Sequence, residues 1–299
     1  MNLFNLLSDI EAVDPEVYAR FDGRRRVFQH LGTVGRRLTA AAVPGALSAL
    51  FSRAYGQGTG LPADVANVLN LALQLEYLEY SFYSLALSSP LPLTAEDRAA
   101  VTLLRNDENN HVQTLRTVLG TAAIAPLPFS AFDFTGSKGG RQAPAFPTVF
   151  SNPYLFLSLA QCFEDLGVRA YKGALPTLFV NKLVTEAALS IHSVEARHAS
   201  HVRTMRRGGA QSLPGSPVSA PKSWITGSET GGPLPNLLGN VYFSGTPTNL
   251  YPSEDNTVQS GINLLSAFPG VATAALASEA FDEPLDAVSV SLLMGYFRV

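Results

Sequence analysis

Cysteine is almost missing from this chain: Cys162 is the only one in 299 residues. That excludes an intramolecular disulfide, a paired-cysteine zinc or rubredoxin-type site, and an iron–sulfur cluster held by several thiolates. A single Cys within LSLAQCFEDL reads as a small core residue. Charge is also sparse, at 15% of residues, against 46% hydrophobic ones. Such a chain has ample material for a core and is not of the disordered type. The formal charge of -3 and pI near 6.0 provide no overall attraction to nucleic acid. Long apolar runs are lacking too, since no stretch reaches the ~18 uninterrupted residues of a membrane span.

Basic residues cluster only near the start, at Arg24, Arg25, Arg26, Arg36 and Arg37. Arg25-Arg26-Val27-Phe28 resembles a twin-arginine export motif, with an apolar run from Leu38 to Phe51. The motif starts well inside the chain, and Arg36-Arg37 interrupts the run. The other reading is an Arg-rich amphipathic surface helix ahead of the Gly-rich linker Gly56 to Gly60. The first reading places the protein in the bacterial periplasm or outside the cytoplasm, the second in the cytoplasm. Residues 1–60 form the first segment, 61–208 the central domain and 209–299 a C-terminal extension.

From Pro62 the pattern becomes helical. ADVANVLNLALQLEYLEYSFYSLALS has apolar residues at helical spacing and no internal Pro or Gly, and Ser88-Ser89-Pro90 ends it. LTAEDRAAVTLLRNDENNHVQTLRTVLG follows, with Thr94 and Asp97 as a cap signal and Gly120 as terminator. Residues 121–150 are rich in Pro, Phe, Gly and Ser and lack helical period, which predicts a long crossover. A third helix starts near Asn152, and Pro176 should interrupt or end it. A fourth runs from about Leu178 to Arg207. Two helical hairpins joined by one long crossover form the ferritin-like arrangement of a mainly α four-helix bundle; an up-down bundle with a loop insertion is the alternative. Residues 209–260 read as an irregular wrap with at most short strands. Residues 270–297 return to helix, broken in two at Pro284.

The chemistry lies in a repeat. Helix one has Glu76 and Tyr83; helix three has Glu164 and Tyr171 at the same interval. Helix two has Glu108 and His111; helix four has Glu195 and His198. Glu76 and Glu164 lie 88 positions apart, Glu108 and Glu195 lie 87 apart, and Arg116-Thr117 recurs as Arg203-Thr204. Residues i and i+3 share a helix face, so Glu-x-x-His aims a carboxylate and an imidazole at one point. One Glu from each of two helices plus Glu-x-x-His from each of the other two is the ligand set of di-iron and di-manganese bundles. Four carboxylates and two imidazoles balance two divalent ions. Burying Glu76 within LALQLEYL is unfavourable without such cations. One Glu-x-x-His is a weak signal; two at a matching offset are not.

Several neighbours stay open. Glu79, one turn beyond Glu76, is a rival ligand, a supporting group or a surface residue; the Tyr interval favours Glu76. Tyr83 and Tyr171 either bond ligand carboxylates or act as redox-active phenols, or else are core aromatics. Asp107 and Asp165 point roughly 100° away from the adjoining Glu and either hold a ligand His or face solvent. His192 and His201 flank the helix-four motif and either extend the site, donate to a ligand, or are capping or surface residues, and His30 has no evident partner. Glu279, Asp282 and Glu283 lack a His and read as capping or surface acids.

LALQLEYLEYSFY, DENNHVQTLR and EARHASHVRTMR closely resemble the ferritin-like domain proteins of the desiccation-related group, distant relatives of rubrerythrin, bacterioferritin and manganese catalase. The resemblance covers residues 60–208, and APKSWITG and ASEAFDEPL extend it toward the C-terminus. It implies a bundle with Glu76, Glu108, His111, Glu164, Glu195 and His198 as ligands of two Fe ions, with Mn accepted by the same set. It implies Fe(II) and O2 or peroxide as substrates, in stress or desiccation protection, and a homo-oligomer as one possible assembly. The chain lacks the cysteine module of rubrerythrin, so redox turnover needs an external electron donor or the substrate's own electrons. It is also longer than a cage-forming ferritin subunit. Ferroxidase or peroxide-detoxifying chemistry, metal sequestration without turnover, and a structural protective role are the competing functions.

Overall fold

The structure is a computed structural model that describes residues 60–179, 182–206, 222–227, 239, 241–243 and 251–299. The Arg-rich segment, with its export motif and His30, lies outside the described residues, as does most of 209–250.

Four long helices dominate: α1 (Ala63–Ser88), α2 (Ala95–Leu119), α3 (Pro153–Leu178) and α4 (Lys182–Arg206). Their ends follow from local chemistry. Pro62 precedes α1 with an extended ψ of 145°, and its carbonyl accepts from Ala66 N–H. Ser89 closes the other end, donating its N–H and hydroxyl to the Ala86 carbonyl. Thr94 caps α2: its hydroxyl oxygen accepts from Asp97 N–H at 3.0 Å and its hydroxyl donates to the Asp97 carboxylate at 2.8 Å. Gly120 ends α2 at φ 54°, a conformation glycine adopts without strain. Asn152 caps α3 through its side-chain oxygen, and Pro153 occupies the first turn.

Pro176 does not break α3 on the spot. It sits in the last turn, where the missing N–H costs one hydrogen bond, and the helix runs on to Leu178. The fourth helix is described from Lys182 to Arg206.

α1 packs most extensively on α2 and α3 on α4, giving two hairpins; α1 also meets α3, and α2 meets α4. The crossover of residues 120–152 returns the chain between them. It is not an idle loop. Phe132, Phe134, Phe146 and Val149 are buried. Phe82 of α1 lies 5.1 Å from Phe134, 4.9 Å from Phe156 and 5.0 Å from Phe163, centroid to centroid. Phe297, near the C-terminus, joins the cluster 5.0 Å from Phe163. Ring pairs at such distances add to the area they bury. The crossover and the C-terminus pair directly: Asp133 N–H donates to Phe297 O, and Val299 N–H to Ala131 O.

The C-terminal part holds a short hairpin, β1 (Val258–Gln259) with β2 (Ile262–Asn263), then α5 (Leu264–Ala267), α6 (Ala274–Ala280) and α7 (Ala287–Gly295). Pro284 lies between the last two, as its position predicted. α7 packs on α1 and α3. Among the described residues no helix is long and apolar enough to cross a membrane.

Candidate metal centre

The repeat brings its six residues together in the bundle core. Glu76, Glu108, Glu164 and Glu195 are fully buried, and His111 and His198 are each 6% exposed. His111 Nδ1 lies 3.0 Å from Glu76 Oε2, 2.9 Å from Glu108 Oε2 and 3.0 Å from Glu195 Oε1. His198 Nδ1 lies 2.9 Å from Glu108 Oε1 and 3.2 Å from Glu164 Oε2. The two imidazole rings are 6.0 Å apart.

Two overlapping groups result: Glu76, Glu108, His111 and Glu195, and Glu108, Glu164, Glu195 and His198. Within each, one potential ligand atom per residue lies within 4.8 Å of the others. Glu108 and Glu195 belong to both. Of these contacts, those of His111 Nδ1 with Glu76 and Glu108 are hydrogen bonds. Glu108 Oε1, Glu164 Oε2, both oxygens of Glu195 and His198 Nδ1 are buried without an oriented hydrogen-bond partner. Converging oxygens left without a donor fit a cation better than a hydrogen-bond network.

The tyrosines cross between halves. Tyr83 of α1 donates to Glu164 of α3, and Tyr171 of α3 donates to Glu76 of α1. Each phenol thus fixes the carboxylate supplied by the opposite helix. Asp107 faces His198 Nε2 at 3.3 Å. With Nε2–H donating there, Nδ1 is left to face the carboxylates.

Burial sets the protonation of this core, and the facing charges modify it. It raises Glu76 to about 7, although His111 pulls the other way. It likewise raises Glu164 and Glu195, with neighbouring carboxylates adding to the effect. Burial also pushes Glu108 upward, but His111 and His198 outweigh it and hold that carboxyl at about 2. Burial disfavours the charged form of both histidines; the facing carboxylates prevail and raise them. The phenols of Tyr83 and Tyr171 are pushed up by burial and by the carboxylates they touch.

The family model described as a ferritin-like domain matches residues 64–207. Those residues form a ferritin-like domain. No curated protein and no solved structure matches the chain significantly.

Asp165 does not face a histidine; it pairs with Arg203 at 2.5 Å and accepts from Tyr242 at 2.6 Å. His201 is exposed and His192 half-buried on α4. Glu279 binds Lys222 and Thr226 away from the core. Glu283 accepts from Asn256 and Gln259. The Asp282 backbone carbonyl accepts from Lys172. Glu79, the rival of Glu76, is fully buried, yet neither of its oxygens has a hydrogen-bond partner. Glu76 is the one that approaches His111.

Two groups escaped the sequence. Arg169 is a fully buried cation that pairs with Glu254 at 2.8 Å. Gly167 lies against Glu195: a Cβ there would stand 2.7 Å from Glu195 Oε2. The interval of the repeat could have found Gly167, because it stands where Glu79 stands in the first half.

A pH dependence follows for the metal-free ferritin-like domain. A carboxyl raised above its ordinary value of 4.5 contributes stability that is full below that value and lost as pH rises through the folded value. Glu76, Glu164 and Glu195 have this sign. The raised histidines also lose their contribution only as pH rises. Glu108, held at about 2, has the opposite sign, but its window closes below 4.5. Calorimetry should therefore show the metal-free melting temperature falling by at least about 4 °C between about pH 5 and pH 8. With divalent metal bound the trend should reverse, because ligation requires ionised carboxylates. A metal-free melting temperature that rises over that range would contradict the protonation described.

Proposed function

We propose that this chain is a di-metal carboxylate protein, with Glu76, Glu108, His111, Glu164, Glu195 and His198 holding two Fe ions, or Mn in their place. It acts on O2 or peroxide, oxidising Fe(II) or removing peroxide in protection against oxidative stress. The observation that carries this reading is the buried double cluster with shared Glu108 and Glu195, in which Glu108 Oε1, Glu164 Oε2 and both oxygens of Glu195 have no hydrogen-bond donor.

Metal ions bound there supply redox equivalents and open positions for oxygen or peroxide. The chain's own residues do the rest. Glu108 and Glu195 tie the two ion positions together. Asp107 orients the His198 ring, and Tyr83 and Tyr171 hold Glu164 and Glu76 in place. The Leu and Phe shell keeps bulk water from the carboxylates. Cys162 contributes no electrons: it is buried and its thiol is pushed up to about 12, far from the reactive thiolate form. Electrons therefore come from Fe(II) itself or from an external donor.

The test is to load the purified chain anaerobically with Fe(II), or separately with Mn(II), then mix it with O2 or hydrogen peroxide. Loss of oxidant should run at least about a hundredfold faster than with free metal and should vanish in a Glu108→Ala/Glu195→Ala variant. Rates equal to those of free metal would refute the reading.

A further inference from the structure

Outside the metal cluster the bundle holds a cavity of about 190 Å³, bounded by α1, α3 and the start of α7. Val68 and Ala72 line it from α1, Tyr171 and Ala174 from α3, and Leu285 and Val290 from the C-terminal part. Tyr171, Leu285 and Val290 are buried and make its floor. Thr177, Tyr251 and Asp286 are half-buried and Ala287 is exposed, which marks the open side.

Its walls are tied in place. Gly173 leaves no room for a Cβ against the Leu285 carbonyl, so the C-terminal segment lies directly on α3. The Leu285 N–H donates to the Arg169 carbonyl at 3.0 Å. Tyr171 is anchored by its hydroxyl, which donates to Glu76. Walls held this way make a pre-formed site.

Size and chemistry limit the occupant. An apolar cavity of about 150 Å³ takes up benzene. Drug-sized ligands and cofactors need about 300 Å³ or more. Asp286 is the only charged side chain of the lining, and its carboxylate is already engaged. One oxygen accepts from Val288 and Ser289 N–H, each at 2.9 Å, and the other from the Ser289 hydroxyl at 3.2 Å. An anion would be repelled by this carboxylate, and a cation would compete with the cap it gives α7. A neutral molecule meets neither obstacle and gains from the apolar area it buries.

We propose that this cavity is a binding site for one small neutral hydrocarbon-like molecule, an aromatic ring or branched chain of about six to eight carbons. The site goes beyond the di-metal reading and stands whether or not metal is bound. Its occupant lies against the same tyrosine that fixes Glu76.

The test is calorimetric titration of the metal-free full chain with toluene, benzoate and benzylammonium. Toluene should bind saturably, one molecule per chain, with a Kd of about 1 mM or tighter. The two charged analogues should bind at least about tenfold more weakly. Ala174→Leu adds three carbons to the cavity and should weaken toluene binding at least about tenfold. Val68→Ala enlarges the cavity and should raise the preference for propylbenzene over toluene about threefold or more. Leu103→Ala, an exposed control on α2, should match wild type. Circular dichroism checks that each variant is folded. Absence of saturable toluene binding to the wild-type chain would overturn the proposal. So would equal binding of the charged analogues, or wild-type affinity in a folded Ala174→Leu. If Ala174→Leu does not fold, Val68→Ala decides, and an unchanged preference there overturns it. Metal content has no bearing on these outcomes, so failure here leaves the di-metal reading intact.

Discussion

Changing Glu108 and Glu195 together to alanine should take bound divalent metal from about two ions per chain to almost none, a loss of at least tenfold. These two residues are common to both groups of the cluster. Glu108 reaches His111 through one oxygen and His198 through the other, at 2.9 Å each. Removing either weakens both ion positions, and removing both leaves each position with one carboxylate and one imidazole. The same variant should remain folded. Glu195 is a carboxylate that burial opposes, whereas Glu108 is held ionised by His111 and His198, so the metal-free melting temperature should fall in the variant while circular dichroism should still show the helical fold. Metal lost with the fold retained separates a ligand from a packing residue. Full metal content in the double variant would sink the assignment.

Arg169→Ala should produce the largest loss of stability of any single change outside the cluster, about 3–5 kcal/mol. The guanidinium lies in α3 with none of its surface exposed. It donates to the carbonyls of Val241, Phe243, Pro252, Glu283 and Pro284, at 2.5 to 3.1 Å, and pairs with Glu254. Those five carbonyls would lose a charged donor, and Glu254 would be left as a buried acid without its cation. Burial already pushes Glu254 up to about 8 despite Arg169. A second change, Glu254→Gln, should recover part of the loss, since it removes the stranded acid. Urea unfolding of the single and double variants measures both effects. A loss under about 1 kcal/mol would show that the C-terminal region is held by the aromatic cluster instead.

The bundle was legible in the sequence because its signals are local. Helical periodicity, the Thr94 and Asn152 caps, Gly120 and the proline-rich crossover each depend on residues within a turn or two of one another. The two Glu-x-x-His units could be read for the same reason. The interval from Glu76 to Tyr83 pointed to a pair of related residues. It did not reveal that each tyrosine serves the carboxylate of the opposite helix, because that depends on how α1 lies against α3. Pro176 signals the end of α3 and lies in its last turn, which closes at Leu178. The crossover looked like a loop because its phenylalanines have no periodicity. Their order comes from Phe82, Phe163 and Phe297, contributed by distant parts of the chain. Arg169 and Glu254 lie 85 positions apart, with the acid in a stretch that reads as irregular. Nothing local marks either as buried. Only burial and the lack of a donor distinguish Glu79 from a surface acid.

The most direct test of the di-metal account is the stoichiometry of the wild-type chain itself. The purified protein, stripped of metal, is titrated anaerobically with Fe(II) and in parallel with Mn(II), desalted and analysed for metal. The account predicts retention that saturates at about two ions per chain for at least one of the two. Retention of none at any loading would contradict it, leaving the ferritin-like domain as a scaffold. Retention of many ions per chain would contradict it as well, in favour of storage.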